Sequence, residues 1–169
     1  YINSPETQFF KKGNNLYNIN RARKLSNSID QVFLVEGYMD VVGLSKNGVE
    51  NAVANLGTAL TERQILMLGQ FFNEVIICFD GDESGYKAAV RAAENSIKEL
   101  QPEKHISFLF LPEGEDPDSY VNKNGKKCKD KIGKKSEGDL LEFKETGKDS
   151  QKLKLKDIIK IIIEQKVKN

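Results

Sequence analysis

The stretch from Val75 to Asp82 constrains the fold of this chain more than any other. An unbroken apolar run, Val75-Ile76-Ile77-Cys78-Phe79, ends at two aspartates separated by one glycine, Asp80-Gly81-Asp82. An apolar run that begins with β-branched residues predicts a strand buried on both faces, as in a parallel sheet covered by helices. The two carboxylates then lie at the carboxyl end of the strand, where open α/β sheets bind their ligands.

The spacing of these two aspartates predicts a bound cation. Gly81 permits a tight turn, so the side chains of Asp80 and Asp82 can face one small volume. Two carboxylates that lie close together repel each other by roughly 4 kcal/mol at an effective dielectric constant near 20. We therefore expect a positive group between them, and a divalent cation is the simplest one.

Strands alternate with helices around this stretch. Apolar segments at residues 32–35, 51–56 and 105–111 predict three more strands, and residues 61–68 and 84–100 predict helices between them. This alternation favours right-handed crossovers and parallel strands. We predict an α/β fold with a mostly parallel, four-stranded sheet flanked by helices.

Acidic residues follow three of the predicted strands, so one edge of the sheet would collect them. A helix dipole explains an acid at Asp40, but no dipole explains Glu36 at a strand end. An all-oxygen ligand set suits Mg²⁺ or Mn²⁺ and disfavours Zn²⁺. Phosphoryl or nucleotidyl transfer is then the leading reaction, because two such ions can stabilise the attacking and leaving oxygens. The set is Glu36, Asp40, Asp80, Asp82, Asp116 and Asp118.

Three basic residues are possible phosphate contacts. Lys87 and Arg91 are four residues apart on one face of a predicted helix, where they either hold phosphates or neutralise neighbouring acids. Lys12 stands alone, and a lone lysine is more often solvated surface. Because 26 basic side chains balance 25 acidic ones, the net charge of +1 gives no global indication of a nucleic-acid partner.

Other reaction classes have little support in the sequence. The one histidine, His105, begins a predicted strand far from the acidic edge, and no glycine-rich loop followed by Lys-Ser or Lys-Thr occurs. Cys78 and Cys128 have no metal-binding or disulfide spacing. No apolar run approaches the length of a membrane span, so we expect a soluble, cytoplasmic protein.

We expect three regions in a piece of a longer protein, because the chain starts at Tyr1 without an initiator methionine. Residues 1–30 are polar, residues 31–127 contain the strands and acids, and residues 128–169 form a Lys-rich extension. From Asn122 onward the sequence predicts mostly loop. An Ile-rich segment at residues 155–167 predicts a helix in this extension.

Several motifs resemble, in order, the Toprim domain of bacterial DnaG-type DNA primases. Two upstream segments, at residues 3–7 and 10–13, and a third at residues 52–58 are similar to primase segments. The acidic motifs that carry the resemblance are Glu36-Gly37-Tyr38-Met39-Asp40-Val41-Val42, Asp80-Gly81-Asp82 and Gly114-Glu115-Asp116-Pro117-Asp118. The resemblance covers about residues 1–127 and implies a Toprim (Rossmann-like) fold followed by a helical extension.

The resemblance also implies a function. Members of this family synthesise RNA primers on single-stranded DNA from ribonucleoside triphosphates, and they work with the replicative helicase through regions outside this segment. It implies that Glu36, Asp80 and Asp82 are catalytic and bind two or more divalent ions, with Asp40, Asp116 and Asp118 completing the set. By the same resemblance, Lys12 belongs to the nucleotide-binding and template-binding region.

One departure and three alternatives remain at this stage. The family commonly has an arginine where this chain has Glu83, so Lys87 or Arg91 would take over its phosphate contact. The chain could instead be another Toprim enzyme, such as a topoisomerase or nuclease, or a Toprim module that binds DNA without catalysis. A haloacid-dehalogenase-like phosphatase also begins with a strand and Asp-X-Asp, but neither Glu36 nor Asp116-Pro117-Asp118 is expected in it.

Overall fold

The computed structural model of the chain describes residues 6–8, 10–56, 59–99 and 104–124, without the side chains of residues 97–99. Its four strands form one parallel sheet in the order β2-β1-β3-β4. The strands are β1 (Gln31–Val35), β2 (Ala52–Ala54), β3 (Glu74–Phe79) and β4 (His105–Phe110). The helices are α1 (Ile19–Ala22), α2 (Tyr38–Lys46), α3 (Glu62–Gly69), α4 (Glu83–Glu99) and α5 (Pro117–Asn124), and short 3₁₀ turns span Lys12–Asn14 and Arg23–Leu25.

The sheet has an apolar core on each face. On one face, side chains of β1 and β3 such as Leu34 and Ile77 pack against α3 and α4. On the other face, Val35 and Ile76 pack against α2 and α5. Successive residues of a strand point to opposite faces, so both faces need apolar residues and the strands contain uninterrupted apolar runs. The predicted α/β fold with a parallel, four-stranded sheet is confirmed.

Helix α3 begins with a capping box formed by Thr61 and Gln64. The Gln64 amide N–H donates to Thr61 Oγ1 at 3.2 Å, and the Thr61 amide N–H donates to Gln64 Oε1 at 3.1 Å. Gln64 is fully buried, and its Nε2 also donates to the carbonyl oxygens of Lys12 and Asn15, at 3.1 and 2.7 Å. One side chain therefore starts the helix and holds the N-terminal segment against it.

Two details of the prediction were wrong. Strand β2 is shorter than the predicted segment 51–56, because Asn51 uses its side chain to bond the carbonyl of Gln31 and Leu56 has a positive φ of 59°. Residues 122–124, predicted to be loop, complete α5, which starts with Pro117 at a position where the missing amide hydrogen costs nothing. The predicted helix at residues 155–167 lies outside the described residues.

Candidate metal and nucleic-acid site

Glu36 directly follows β1 and lies beside the end of β3, because these two strands are neighbours in the sheet. Its Oε1 atom is buried and has no hydrogen-bond partner among the described residues. Burial raises the pKa of Glu36, and the charges of Asp80, Asp82 and Asp40 raise it further, against a lowering by the Asp80 backbone amide. A buried carboxylate oxygen without a partner is costly, so this position favours a bound positive or donor group.

Asp80 follows β3 and is half-buried. Burial is the main cause that raises its pKa, followed by the charges of Asp116 and Asp82. Asp116 lies close enough to raise the pKa of Asp80 because the turn after β3 is hydrogen-bonded to the turn after β4. The Gly81 amide N–H donates to the Glu115 carbonyl at 2.8 Å, and a Cβ on Gly81 would lie only 2.0 Å from the Pro112 carbonyl oxygen.

Asp40 has a structural contact in addition to its place in the acidic cluster. It lies in the first turn of α2, where its Oδ2 accepts a hydrogen bond from the Gly37 amide N–H at 3.0 Å. Burial and the charges of Asp80, Asp116 and Asp118 raise its pKa to about 6, although the Gly37 hydrogen bond lowers it. A cap and a ligand role are both compatible with this geometry.

Asp82 and Asp116 are exposed and cap the turns that start α4 and α5. Asp82 Oδ1 accepts from the Gly85 amide N–H at 2.7 Å, and Asp116 Oδ1 accepts from the Ser119 amide N–H at 2.6 Å. A carboxylate at such a position satisfies backbone donors that have no partner inside the helix. Each of the two carboxylates keeps a second oxygen for a ligand.

Asp118 contacts α2 rather than the other acids. Its Oδ1 accepts from Asn122 Nδ2 at 2.7 Å, and a Cβ on Gly43 of α2 would lie 2.0 Å from the same oxygen. The absence of a side chain at Gly43 thus allows α5 to approach α2. In this arrangement Asp118 is mainly a packing residue, and its charge acts on the site through Asp40.

The acidic edge fits a divalent cation by its chemistry. Among the described residues, none of the six acids forms an ion pair, and no three carboxylates converge as a ready-made ion site. The raised pKa values of Glu36, Asp40 and Asp80 arise partly from mutual repulsion. Oxygen ligands, an unpartnered buried oxygen and uncompensated negative charge together suit Mg²⁺ or Mn²⁺, whose binding would require the side chains to move together.

The three basic residues have different surroundings. Lys87 Nζ lies 2.6 Å from Glu83 Oε1, so its charge is paired on the exposed surface of α4. Arg91 lines a cavity that also contains Glu36. Lys12 belongs to the segment that Gln64 holds, and no described contact joins its side chain to the acids. The structure therefore brings Arg91 to the site and leaves Lys87 and Lys12 outside it.

Two features of the site were missed in the sequence. Asn55 and Leu56 follow β2 at the same edge, and Asn55 lines the cavity beside Glu36. Leu56 has a positive φ, which is unusual for a residue with a bulky side chain. A positive φ at leucine has no sequence signature, so neither the kink nor the cavity wall could be predicted.

Comparisons with known proteins agree with the architecture. Residues 30–110 match the Toprim domain family. A DNA primase of Pseudomonas aeruginosa is 50% identical over 125 residues, which are 74% of this chain and 19% of that protein. A DNA primase of Escherichia coli K12 is 45% identical over 128 residues, or 76% of this chain and 22% of that protein. The chain thus spans about a fifth of the length of these relatives.

Solved structures give the same result. A crystal structure of a DNA primase domain from Pseudomonas aeruginosa has a TM-score of 0.72 and 49% identity, and covers 76% of this chain and 40% of that chain. A structure described as the DnaG primase catalytic domain bound to ssDNA has a TM-score of 0.72 and 43% identity, and covers 78% of this chain and 42% of that chain.

The parallel sheet and the acids at its carboxyl edge define a Toprim domain at residues 30–110. This domain belongs with those of the bacterial DnaG-type DNA primases, as the order of the sequence motifs indicated. In the part of the chain that the structure describes, no helix is long and apolar enough to cross a bilayer.

Proposed function

We propose that this chain is the metal-binding Toprim portion of a DNA primase that synthesises RNA primers on single-stranded DNA. One observation supports this most strongly. Glu36 and Asp80 directly follow neighbouring strands and have no ion-pair partner among the described residues, in a chain that is 50% identical to a DNA primase over 125 residues.

In this proposal, Glu36, Asp80 and Asp82 hold Mg²⁺ or Mn²⁺, with two or more ions present when nucleotide is bound. Asp40 and Asp116 complete the ligand set, and Asp118 supports it by fixing α5 against α2. The bound ions would supply charge neutralisation for nucleotidyl transfer. The protein itself would position Glu36 and Asp80 directly after two neighbouring strands. The hydrogen bond from Gly81 to Glu115 would hold the turn that carries Asp116 close to them.

The proposed substrates are a single-stranded DNA template and ribonucleoside triphosphates. A similar structure is described as bound to ssDNA, which supports the template assignment. We assign Arg91 to a phosphate contact because of its place beside Glu36, and Lys12 to the template or nucleotide side by its motif. Lys87 is a weaker choice, since Glu83 already neutralises it.

The same proposal includes a partner and a cellular location. We place the replicative helicase contact in regions outside this chain, and the activity in the cytoplasm, where the DNA and nucleotides of a bacterium are found. The division into residues 1–30, 31–127 and 128–169 stays a prediction. The isolated chain should prime weakly, because most of a template groove would lie outside it.

A Toprim module that binds DNA without catalysis is the alternative. It is favoured by the lack of three converging carboxylates among the described residues. The two functions differ in their need for the acids. A catalytic domain requires the carboxylates for turnover, whereas a binding module requires basic residues and tolerates loss of an acid.

Primer synthesis by the full-length protein separates the two. Asp80→Asn should reduce synthesis on single-stranded DNA by at least about 100-fold, the order lost when one electrostatic group of an active site is removed. Glu94→Gln makes the same change at an exposed position of α4 and should leave synthesis unchanged. Full activity of Asp80→Asn, with DNA binding intact, would support the binding module instead.

A further inference from the structure

Glu115 is an acid in the turn after β4 that has no place in the proposed ligand set. Both oxygens of its carboxylate are already in use, because Oε1 accepts from Lys123 Nζ and Oε2 accepts from Ser119 Oγ at 2.6 Å. The side chain of Glu115 is only 16% exposed, whereas that of Lys123 is 66% exposed. A carboxylate bonded in this way is poorly placed to bind a cation, so it needs another explanation at the acidic edge.

The partners of Glu115 come from the length of the following helix. Ser119 lies in the first part of α5, and Lys123 lies in its last turn. Residues four apart on a helix are neighbours on one side of it, so the two side chains are aligned along α5. Lys123 therefore extends back along the helix to an acid that precedes the first helical residue.

Ser119 connects this ion pair to Asp116. The Asp116 amide N–H donates to Ser119 Oγ at 3.0 Å, and the Ser119 amide N–H donates to Asp116 Oδ1 at 2.6 Å. The hydroxyl has one proton, which points to Glu115 Oε2 because a charged acceptor makes the stronger bond. Glu115 thus orients the hydroxyl that in turn holds Asp116.

The backbone of Glu115 fixes the same turn against the one after β3. The Gly81 amide N–H donates to the Glu115 carbonyl at 2.8 Å, and the Gly114 amide N–H donates to the Gly81 carbonyl at 3.3 Å. Gly81 stands between two acids of the ligand set, and Glu115 directly precedes a third. One residue therefore joins the two turns through its backbone and orients an acid through its side chain.

We propose that Glu115 is a positioning residue of the metal site, held by Lys123 and Ser119 so that Asp116 can reach an ion bound at Asp80. The assignment rests on the proposed function, in which these aspartates hold Mg²⁺ or Mn²⁺. Glu115 supplies no ligand atom of its own. Residues that orient metal ligands influence metal affinity nearly as strongly as the ligands do.

The sign of the change in Mn²⁺ affinity separates positioning from simple charge. Lys123→Met removes a positive charge close to the acids, so charge alone would make Mn²⁺ bind more tightly. Loss of positioning should instead weaken binding to this chain by at least about tenfold, measured from the electron paramagnetic resonance signal of free Mn²⁺. The melting temperature without metal should change little, because an ion pair with an exposed lysine adds little stability.

Two further variants serve as controls for Lys123→Met. Lys123→Arg keeps a cation that can donate to Glu115 and should restore the wild-type affinity for Mn²⁺. Lys46→Met makes the same substitution at an exposed position in the last turn of the neighbouring helix α2. Because Lys46 has no described contact with the turn after β4, Lys46→Met should not weaken Mn²⁺ binding.

Ser119 provides a test that leaves the charge unchanged. Ser119→Ala should also weaken Mn²⁺ binding by at least about tenfold and should alter the resonance spectrum of the bound ion, because Asp116 is no longer oriented. Ser119→Thr keeps the hydroxyl and should restore both the affinity and the spectrum. Melting curves recorded without metal establish that each variant is folded.

The outcomes distinguish this role from the metal site itself. If the wild type binds Mn²⁺ and Lys123→Met binds it equally well, the positioning role is overturned and the metal site stands. Tighter binding by Lys123→Met would also overturn the role, since it would mean that Lys123 acts by its charge or keeps Glu115 from binding the ion. Absence of Mn²⁺ binding by the wild type would overturn the role and the metal site together.

Discussion

Glu36 and Asp40 are four residues apart, and each carboxylate accepts a backbone hydrogen bond, from Asp80 and from Gly37 respectively. Asp40 accepts from the Gly37 amide, whereas Glu36 Oε1 is buried without a described partner. Both residues have a raised pKa, and burial is the largest cause in each case. At the scale of single residues, the carboxylates of the acidic edge repel one another, and a bound cation would reduce this repulsion.

The first prediction concerns the pH dependence of stability. The pKa of Asp40 is about 6 in the folded chain against an ordinary value of 3.8, so the folded state binds this proton more tightly. Without metal, the contribution of Asp40 to stability should be fully present below about pH 4 and should be lost as the pH rises through about 6. One pKa unit corresponds to about 1.4 kcal/mol, but Asp40 is only partly buried, so solvent screening keeps the contribution of this group well below the roughly 3 kcal/mol of the full shift.

Urea unfolding in EDTA at several pH values measures this effect. Asp40→Asn keeps an oxygen that can accept from Gly37 but cannot ionise. We expect its free energy of unfolding to fall less than that of the wild type between pH 4 and pH 7. Parallel curves for the two proteins would mean that the environment of Asp40 differs from the one described.

At the scale of elements, the turns after β3 and β4 bring Asp80 and Asp116 together. Gly81→Ala would place a Cβ 2.0 Å from the Pro112 carbonyl oxygen, and a backbone atom cannot move aside cheaply. We expect a loss of about 2–3 kcal/mol in the free energy of unfolding, typical of overpacking.

Gly69 provides the matched control for Gly81. A Cβ at Gly69, the last residue of α3, would have no atom within 4 Å. Gly69→Ala should therefore leave stability unchanged or raise it by about 0.5–1 kcal/mol. Equal effects of the two substitutions, measured by chemical denaturation, would show that the two turns are not in close contact.

A second element-scale prediction concerns Gln64, which joins α3 to the N-terminal segment. Gln64→Leu removes the donor for the Lys12 and Asn15 carbonyls and the acceptor for the Thr61 amide. Because these backbone groups lose buried partners, we expect a loss of roughly 2–4 kcal/mol.

Denaturation and trypsin cleavage after Lys12 measure the consequences. In Gln64→Leu we expect a lower free energy of unfolding and faster cleavage, because the N-terminal segment is no longer held against α3. Gln70→Leu makes the same substitution at an exposed position just after α3 and should have little effect. Unchanged cleavage in Gln64→Leu would exclude Gln64 as the contact that holds the segment.

At the scale of the whole molecule, the sequence predicted what depends on local pattern. Continuous apolar runs predicted parallel strands, and their shared direction predicted that Glu36 and Asp80 meet at one edge. The pattern could not distinguish an acid that binds a metal from an acid that caps a helix, because an acid such as Asp82 has the same place in the sequence in both roles. It left open whether Lys87 binds a phosphate or pairs with an acid of its own helix, and it could not reveal the kink at Leu56.

The most direct test of the account is thermal melting of this chain during titration with Mn²⁺ and Mg²⁺. A metal at about one hundred times its dissociation constant should raise wild-type stability by roughly 2.7 kcal/mol. The double variant Asp80→Asn/Asp82→Asn should melt at or above the wild-type temperature in EDTA, because like-charge repulsion is relieved, and should not respond to metal. Glu94→Gln should respond as the wild type does. Equal stabilisation of the wild type and the double variant, or of neither, would contradict a metal site at the acidic edge.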